Sequence, residues 1–462
     1  MTQKPFLPPA EIFKAYDIRG IVGRTLTEEG VRSIGHALGS EAVARGQKAI
    51  AVGRDGRLSG PALSAALADG LRAAGIDVID VGMVATPLSY YAAHHLGCHS
   101  AVSVTGSHNP PDYNGLKMVL GGTTLSGEDI QRLRVRIEKN DLVHGSGKLS
   151  HVDVRTAYLD RVVSDVKLAR PMRIAVDCGN GVAGDTAVEL FERLGCEVTA
   201  LFCEVDGNFP NHHPDPSQPD NLKDLVAAVR KGNLELGLAF DGDGDRLGVV
   251  TRSGRIIYPD RQLMLFAKDV LSRLPGAEII YDVKCTRQLA PWIRAHGGVP
   301  SMWKTGHSFI KGRMKERAAP LAGEMSGHIF FGERWYGFDD GQYAAARLLE
   351  ILSREADPSA VLEALPDSVS TPELHIELEE GEPHRLIAGL QQSAHFADAL
   401  DVIKLDGLRV EYADGFGLAR ASNTTPVIVL RFEADDAAGL KRIQEAFRGV
   451  LLAAKPGARL PF

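Results

Sequence analysis

The sequence has few cysteines, and they are not arranged in any recognisable motif. Five cysteines are scattered over 462 residues, and none forms a C-x-x-C pair. This pattern indicates neither a disulfide framework nor a zinc site. We expect buried or unreactive free thiols, which suits a reducing cytoplasm. The cysteines are Cys98, Cys178, Cys196, Cys203 and Cys285.

The sequence also lacks a long apolar run and an excess of positive charge. The N-terminal stretch MTQKPFLPPAEIF has prolines where a signal peptide needs an apolar segment, so we expect none. Residues 81–111 contain no Asp, Glu, Lys or Arg, as a membrane-spanning segment would. Gly82, Pro87 and Ser107 interrupt this stretch, so we do not expect it to cross a membrane. A net charge of −7 argues against nucleic acid as a partner. We therefore expect a cytoplasmic protein without nucleic-acid or membrane partners, and we expect it to be a monomer. An anionic small substrate would have to be held by local clusters of cationic side chains.

A recurring order of strand, loop, helix and strand predicts three similar domains. The first strand of each repeat is predicted at 49–53, 174–177 and 279–282. Strands that alternate with helices predict mixed or parallel sheets, in which ligands gather at the carboxyl ends of the strands. Glycines expected at positive φ, just after a helix in each repeat, are Gly75, Gly195 and Gly297.

After residue 370 the pattern changes to short alternating runs, which predict a smaller α+β domain with an antiparallel sheet. Within the first repeat, Ser126 is the predicted N-cap of a helix that turns Ile130, Leu133 and Ile137 to one face. Polar, turn-rich joints mark the predicted domain boundaries. The four predicted domains are 1–152, 153–254, 255–367 and 368–462.

The segment DGDGDR at 241–246 is the strongest candidate metal site. Asp241, Asp243 and Asp245 follow the apolar strand LELGLAF, and three carboxylates so close together repel one another unless a hard cation joins them. An EF-hand is excluded, because its sixth and twelfth positions would be Arg246 and Arg252. An exposed acidic turn is the alternative. Few protein ligands and an open position favour Mg²⁺ bound together with a substrate phosphate.

The loop TGSHN at 105–109 offers a candidate nucleophile. Ser107 follows the strand SAVSV, and no G-x-S-x-G motif surrounds it, so acyl transfer is poorly supported. A serine oxygen beside a metal suits phosphoryl transfer instead, while a turn-capping serine is the alternative. The hypothesis requires that Ser107 and the three aspartates face one pocket.

Two further polar loops are candidates for holding a phosphosugar. In GEMSGH (323–328), Glu324 and Ser326 can pair with adjacent sugar hydroxyls, and His328 can serve as a general acid or base. In RASNTTP (420–426), a guanidinium and hydrogen-bond donors suit a phosphate dianion, although a polar hairpin turn is the alternative. Smaller contributors are Lys117, KTGHS at 304–308 and AYDIRG at 15–20.

The motifs AYDIRG, TGSHNP, DGDGDR, GEMSGH and RASNTTP, in this order, resemble the α-D-phosphohexomutase superfamily along essentially the whole chain. Within it they resemble the bacterial phosphomannomutase/phosphoglucomutase branch, because Met325 stands where phosphoglucosamine mutases carry Gln. The resemblance implies a deep central cleft that the fourth domain closes. The expected fold class is therefore α/β, with three similar mixed-sheet α/β domains and a smaller C-terminal α+β domain with an antiparallel sheet around that cleft.

The resemblance also implies a role for individual residues. The reacting centre would contain Arg19, Ser107, His108, Lys117, Arg246 and His328. Substrate would be bound by Tyr16, Lys284, His307, Glu324, Ser326, His328, Arg420, Ser422, Asn423, Thr424 and Thr425. Mg²⁺ would be held by Asp241, Asp243, Asp245 and the phosphorylated Ser107.

The implied activity is the reversible interconversion of hexose 1-phosphate and hexose 6-phosphate, for glucose and mannose alike. It would run through a phosphoserine enzyme and a hexose 1,6-bisphosphate, with glucose 1,6-bisphosphate as activator and intermediate. The products would feed nucleotide-sugar and polysaccharide biosynthesis. The alternatives are a phosphoglucosamine mutase, a metal-dependent sugar phosphatase and a catalytically silent sugar-phosphate binding protein.

Overall fold

The computed structural model describes residues 5–462, which form four β-sheets with helices packed against them. Residues 1–4 lie outside this range. They belong to the N-terminal stretch in which we expect no signal peptide. No helix within residues 5–462 has both the length and the apolar character needed to cross a membrane.

The first sheet has seven strands: six follow the order β1-β5-β4-β2-β3-β7, and β6 pairs with β5. The strands are β1 (Ile18–Ile21), β2 (Ala49–Arg54), β3 (Asp77–Met83), β4 (Ala101–Val104), β5 (Tyr113–Leu120), β6 (Thr123–Thr124) and β7 (Leu149–His151). The helices are α1 (Glu28–Ala44), α2 (Gly60–Ala73), α3 (Thr86–His95) and α4 (Glu128–Lys139), with a 3₁₀ turn at Ala10–Ile12. Helices α1 and α2 pack closely because Gly70 has no side chain: a Cβ there would lie 2.2 Å from the Arg32 carbonyl oxygen.

The second sheet has five strands in the order β12-β11-β10-β8-β9. The strands are β8 (Arg173–Asp177), β9 (Glu197–Leu201), β10 (Leu236–Phe240), β11 (Leu247–Thr251) and β12 (Ile256–Ile257). The helices are α5 (Arg155–Asp165), α6 (Ala187–Arg193) and α7 (Lys223–Gly232), with 3₁₀ turns at Val182–Asp185 and Pro219–Leu222.

The third sheet has four strands in the order β14-β13-β15-β16. The strands are β13 (Glu278–Asp282), β14 (Val299–Trp303), β15 (Leu321–Gly323) and β16 (Ile329–Phe331). The helices are α8 (Pro259–Arg273), α9 (Leu289–Ala295), α10 (His307–Arg317), α11 (Gly341–Leu352) and α12 (Pro358–Glu363).

The first three sheets share one strand order, as the internal repeat predicts. The common paths are β5-β4-β2-β3, β11-β10-β8-β9 and β16-β15-β13-β14. In each sheet the second and third strands of the path are parallel, and the first is antiparallel to the second. The glycines expected at positive φ have φ angles of 91° (Gly75), 96° (Gly195) and 80° (Gly297). In each repeat the polar loop therefore connects the second strand of this path to the first.

The fourth sheet is antiparallel throughout and has six strands, in the order β17-β22-β21-β20-β19 with β18 beside β22. The strands are β17 (Val369–Ser370), β18 (Leu374–Glu377), β19 (Asp401–Ile403), β20 (Leu408–Tyr412), β21 (Gly415–Ala421) and β22 (Val427–Ala434). Helices α13 (Glu382–Ser393) and α14 (Ala437–Ala454) pack on it. The predicted fold class is confirmed.

One local prediction is wrong. Helix α4 begins one residue later than expected, after Gly127 at a φ of 51°, so Ser126 is not its N-cap. A residue at N′ is too far from the first turn for its hydroxyl to satisfy a free N–H. The apolar face was correctly predicted, because Ile130, Leu133 and Ile137 are buried.

The hydrophobic cores divide the chain differently from the sheets. One continuous core joins the first three units and includes Leu88, Phe240 and Phe266. The fourth unit has a core of its own. A small apolar contact joins it to the third unit, where Val283 packs with Phe416 and Leu418.

Polar contacts also hold the fourth unit to the third. Arg409 Nη1 donates to the carbonyl oxygens of Val283 and Cys285, at 2.6 Å each. Thr286 Oγ1 donates to the Glu433 carboxylate at 2.8 Å. The fourth unit thus has its own core and is joined to the third by a small apolar contact and by hydrogen bonds.

Candidate active site

A cavity of about 340 Å³ lies where the four units meet. Ser107 lines it from the first unit, Arg246 from the second, His328 from the third and Arg420 from the fourth. The remaining predicted site residues on its wall are Tyr16, Arg19, His108, Lys117, Lys284, His307, Glu324, Ser326, Ser422, Thr424 and Thr425. Asn423 lies in the same loop but lines neighbouring depressions instead. Most of the predicted site is therefore assembled around one cavity.

Ser107 lies in the loop between β4 and β5, and its hydroxyl faces the metal loop of the second unit. Its Oγ is 3.1 Å from Asp241 Oδ2, to which it donates, and 3.2 Å from His108 Nδ1. Its side chain is buried, and its φ of 50° lies in the left-handed region that non-glycine residues rarely adopt. The spatial condition of the phosphoryl-transfer hypothesis is met, and the strained backbone needs support from its surroundings.

That support comes from Arg57, a fully buried arginine in the loop after β2. Its Nη2 donates to the carbonyl oxygens of Ser107 at 2.8 Å and Asn109 at 2.6 Å. Its Nη1 donates to those of Pro110 at 2.5 Å and Tyr113 at 3.0 Å. The guanidinium thereby holds four backbone carbonyls of one loop in fixed positions.

Asp55 completes the clamp from the same loop. Its Oδ2 pairs with Arg57 Nε at 3.2 Å and accepts hydrogen bonds from Thr105 Oγ1 and Gly106 N, at 2.8 and 3.0 Å. Gly106 is required here, because a Cβ would lie 2.2 Å from Arg57 Nε. Asp55 and Arg57 were not predicted as site residues, although both follow the carboxyl end of a central strand, as the predicted site loops do.

Asp241, Asp243 and Asp245 place one carboxylate oxygen each within 4.8 Å of one another, all of them buried. Burial and the two neighbouring carboxylates raise the pKa of Asp241 well above its ordinary value. Asp243 Oδ1 is buried without a hydrogen-bond partner among residues 5–462. Hard oxygen ligands, mutual repulsion and an orphaned carboxylate oxygen all fit a divalent cation such as Mg²⁺.

Lys117 lies beside the same carboxylates. Its Nζ is 2.7 Å from Asp243 Oδ2 and 2.5 Å from Asp245 Oδ2. Burial opposes its charge, but Asp243 and Asp245 raise the pKa of Lys117 above its ordinary value. Lys117 is therefore positively charged, and it offsets part of the negative charge of the three aspartates.

Three imidazoles near the reacting centre differ in charge. Burial and the neighbouring Arg246 lower the pKa of His108 well below its ordinary value, and burial and Lys311 do the same for His307. For His328 burial acts in the same direction, but Asp245 and Glu324 together outweigh it and raise the pKa to about 9. His328 Nε2 is 3.2 Å from Asp245 Oδ1. At neutral pH His328 is charged and the other two imidazoles are neutral.

The GEMSGH loop connects β15 and β16 and is held in place by contacts within the third unit. Glu324 Oε2 contacts His328 Nδ1 at 3.0 Å, and its Oε1 accepts a hydrogen bond from Gly306 N at 2.5 Å. Ser326 Oγ is 3.1 Å from the same imidazole nitrogen. These contacts fix a carboxylate and a hydroxyl on the cavity wall.

The RASNTTP segment joins β21 to β22, and Arg420, near the end of β21, brings a buried guanidinium to the opposite side of the cavity. Arg420 Nε donates to Asp406 Oδ2 at 3.0 Å, and its Nη2 has no partner among the described residues. Ser422 Oγ accepts hydrogen bonds from the backbone N–H groups of Thr424 and Thr425, at 3.3 Å each. An unsatisfied guanidinium nitrogen in a loop of hydroxyl groups suits a phosphate group.

Several further polar residues reach the site and were not predicted. Glu373 Oε1 pairs with Lys284 Nζ at 2.6 Å across the joint between the third and fourth units. Asp339 pairs with Lys311 at 2.9 Å, close to His307 and His328. His213 Nε2 contacts the His108 carbonyl oxygen. None of these residues lies in a motif, so only the three-dimensional structure could reveal them.

Comparisons with known proteins agree with this architecture. Family models described as phosphoglucomutase/phosphomannomutase match in chain order, with alpha/beta/alpha domains I, II and III at residues 10–144, 156–254 and 258–369. The model of the C-terminal domain matches residues 373–450.

Full-length relatives agree as well. The chain is 59% identical over 455 residues to a phosphomannomutase/phosphoglucomutase of Pseudomonas aeruginosa, which covers 98% of each chain. It is 60% identical over 444 residues to a phosphoglucomutase of Neisseria gonorrhoeae, covering 96% of each. A crystal structure of a phosphoglucomutase/phosphomannomutase family protein from Burkholderia thailandensis has a TM-score of 0.93 at 60% identity, covering 98% of this chain and all of that one. These matches confirm the resemblance read from the motifs, and the chain belongs to the phosphoglucomutase/phosphomannomutase family.

Proposed function

We propose that this protein is a phosphohexomutase that reversibly converts hexose 1-phosphates and hexose 6-phosphates of glucose and mannose. Ser107 would carry the transferred phosphoryl group, and a hexose 1,6-bisphosphate would be the intermediate. The observation that carries the proposal is the 3.1 Å contact between Ser107 Oγ and Asp241, in a cavity that also contains the Arg420 loop. One cavity thus contains a nucleophile and a phosphate-binding loop, and the buried carboxylate cluster contacts the nucleophile directly.

In this proposal the substrate is held at its non-reacting end. Arg420 would bind the resting phosphate through its unpartnered Nη2, together with the hydroxyls of Ser422 and Thr424. Glu324 and Ser326 would bind sugar hydroxyls. None of these groups distinguishes the configuration at carbon 2, which supports the use of both glucose and mannose phosphates.

At the reacting end, the phosphoryl group leaves the Ser107 oxygen for the free hydroxyl of the sugar; the hydroxyl gives up its proton, and the Ser107 oxygen takes one up. Arg19, Lys117 and Arg246 supply positive charge around it, and positioning supplies most of the remaining rate. His108 is neutral and lies 3.2 Å from Ser107 Oγ, close enough to exchange the serine proton. His328 is charged at neutral pH and can donate a proton to an oxygen in the cavity.

The metal in this proposal is Mg²⁺, with Asp241, Asp243 and Asp245 as its ligands beside an oxygen of phosphorylated Ser107. When bound, it supplies charge neutralisation for the transferring phosphoryl group. The bisphosphate would then turn around in the cavity and return its other phosphate to Ser107. The separately packed fourth unit supports this step, because it can open and close over the cavity while excluding water.

Glucose 1,6-bisphosphate would prime the unphosphorylated enzyme. We also propose a monomer working in the cytoplasm, a setting in which the five free thiols are stable. The family relatives are named for glucose and mannose phosphates, which favours these sugars over glucosamine phosphates. A phosphatase would release inorganic phosphate and would need no bisphosphate primer.

The test is a coupled assay of glucose 1-phosphate conversion, combined with intact-mass measurement of the purified protein. Ser107→Ala should lose nearly all turnover and the one phosphate per chain that we expect on the wild type. Ser146→Ala, a change at an exposed loop serine, is the matched control and should behave as wild type. Activity retained by Ser107→Ala would refute the nucleophile, and stoichiometric release of inorganic phosphate would favour the phosphatase.

A further inference from the structure

Two of the five cysteines lie side by side in the second unit, outside the cavity. Cys178 follows β8 and Cys203 lies two residues beyond β9, and these strands are parallel neighbours. Their Sγ atoms are 3.6 Å apart, and no other two thiols in residues 5–462 hydrogen-bond to each other. Cys178 is buried and Cys203 is half-buried, so a small reagent would reach the pair from the side of Cys203.

We infer that Cys178 and Cys203 form a modification site for low-molecular-weight disulfides, which oxidise the two thiols to an intramolecular disulfide. We further infer that this bond slows the mutase reaction reversibly. The second statement rests on the proposed function, whereas the first does not.

The chemistry begins at Cys203. The contact with Cys178 lowers the pKa of Cys203, because the Cys178 thiol can donate to the thiolate once Cys203 loses its proton, and the pKa of Cys178 is raised in return. The Cys203 thiolate attacks one sulfur of the small disulfide, whose S–S bond breaks and releases a thiolate. Cys178 then loses its proton to solvent, attacks the Cys203 sulfur and expels the second thiolate. Two cysteine thiols are oxidised, and one small disulfide is reduced to two thiols.

On the Cys178 side, the bond would act on the metal loop. An S–S bond is about 2.0 Å long, so the two sulfur atoms must approach by roughly 1.5 Å. Cys178 begins the loop in which Val182 N donates to Gly242 O at 3.1 Å. A Cβ on Gly181 would lie 3.0 Å from Gly242 Cα, so the two backbones are in direct contact. Gly242 separates Asp241 from Asp243, and a shift of the first loop is therefore transmitted to the carboxylates.

On the Cys203 side, the bond would act on the serine loop. The segment after Cys203 packs on the loop that contains Arg57: a Cβ on Gly207 would lie 2.6 Å from the Gly56 carbonyl oxygen. The Phe209 ring lies 5.3 Å from the Arg57 guanidinium, which holds the carbonyls around Ser107. The loop that contacts Gly242 thus begins at Cys178, and the segment that contacts Gly56 and Arg57 begins at Cys203. Misplacement of reacting groups by about 1 Å costs roughly 100-fold in rate, so even a partial shift should be visible.

The experiment treats the purified full-length enzyme with 2-hydroxyethyl disulfide, blocks the remaining thiols and digests it with trypsin without reduction. Cys178 lies in the tryptic peptide 174–193, and Cys203 lies with Cys196 in the peptide 194–223. We expect these two peptides to be joined with the loss of two hydrogens. Activity should fall by roughly tenfold or more and should return on addition of dithiothreitol.

Two variants separate the sulfurs. Cys203→Ser should keep the basal activity, form no link and resist the reagent. Cys196→Ser is the matched control, because burial raises the pKa of Cys196 to about 12 and makes it a poor nucleophile. This variant should still form the link and still lose activity.

The outcomes are distinct. A reagent adduct that stays on Cys203, a link through Cys196 or no reaction at all would overturn the dithiol site. A complete link with unchanged activity would overturn the coupling to the reacting centre. Because the link is measured by mass, it can be tested even if the untreated protein shows no mutase activity, so failure of the proposed function would be recognised separately.

Discussion

The substitution Arg57→Lys tests how the serine loop is held. Lysine keeps the positive charge beside Asp55, but its single ammonium group cannot reach the four carbonyl oxygens that the two Nη atoms of Arg57 bind. Each lost charge-assisted hydrogen bond contributes about 1.5–3 kcal/mol. Because the ammonium replaces some of them, we expect the free energy of unfolding to fall by about 3 kcal/mol.

The larger effect should be on catalysis. The left-handed backbone of Ser107 costs about 1–2 kcal/mol, and without the guanidinium the loop can relax out of it. A displacement of Ser107 Oγ by about 1 Å should lower kcat by roughly 100-fold. The KM for glucose 1-phosphate should change little, because the Arg420 loop on the other side of the cavity is untouched.

The assay compares kcat and KM for glucose 1-phosphate, the phosphate on Ser107 by intact mass, and unfolding by urea. Arg32→Lys is the matched control, because the Arg32 side chain is half-exposed and its ion pair with Asp69 is long, at 3.7 Å. It should match wild type in every measurement. If Arg57→Lys loses stability but keeps kcat within threefold of wild type, Arg57 is a structural residue and does not position Ser107.

Three further predictions address the metal loop, the charged imidazole and the phosphate loop. Added Mg²⁺ should raise the Tm of wild type, and Asp243→Asn should abolish the rise together with the activity; an equal rise in both would refute the site. In EDTA, the contribution of His328 to the free energy of unfolding should be fully present below pH 6.5. About 3 kcal/mol of it should be lost as the pH rises through 9, since the folded-state pKa of His328 is about 9. Urea unfolding of His328→Gln should not show this loss. Arg420→Lys should raise the KM for glucose 1-phosphate about tenfold while kcat falls less, and an unchanged KM would contradict its role.

The repeat architecture could be predicted because it depends on local signals. Strands such as β8 and β13 are short apolar runs, and the glycines after the helices need positive φ, so each repeat shows the same order. Polar loops at equivalent positions of similar units then fall at equivalent edges of similar sheets. That is why Ser107 and Asp241 could both be expected at the carboxyl ends of strands, whereas their meeting in one pocket was only a requirement of the phosphoryl-transfer hypothesis.

The supporting residues could not be predicted, because their partners are distant in sequence. Arg57 binds carbonyl oxygens 50 to 56 residues further along, and GRDGRLSG resembles any polar loop. Cys178 and Cys203 are 25 residues apart, a spacing without a motif, and they meet only because β8 and β9 are parallel neighbours. The expectation that all five thiols are inert was reasonable from spacing alone, and the contact between these two gives reason to test it.

The attachment of the fourth unit has a consequence for sequence divergence. Arg409 binds the main-chain oxygens of residues 283 and 285, and Arg431 binds that of residue 284. Main-chain oxygens are the same whatever side chain a residue carries, so mutations can accumulate in this segment without removing the acceptors. The hydrogen bonds that attach the fourth unit would therefore survive substitutions in this segment, even those that remove the side-chain contacts of Val283 or Lys284.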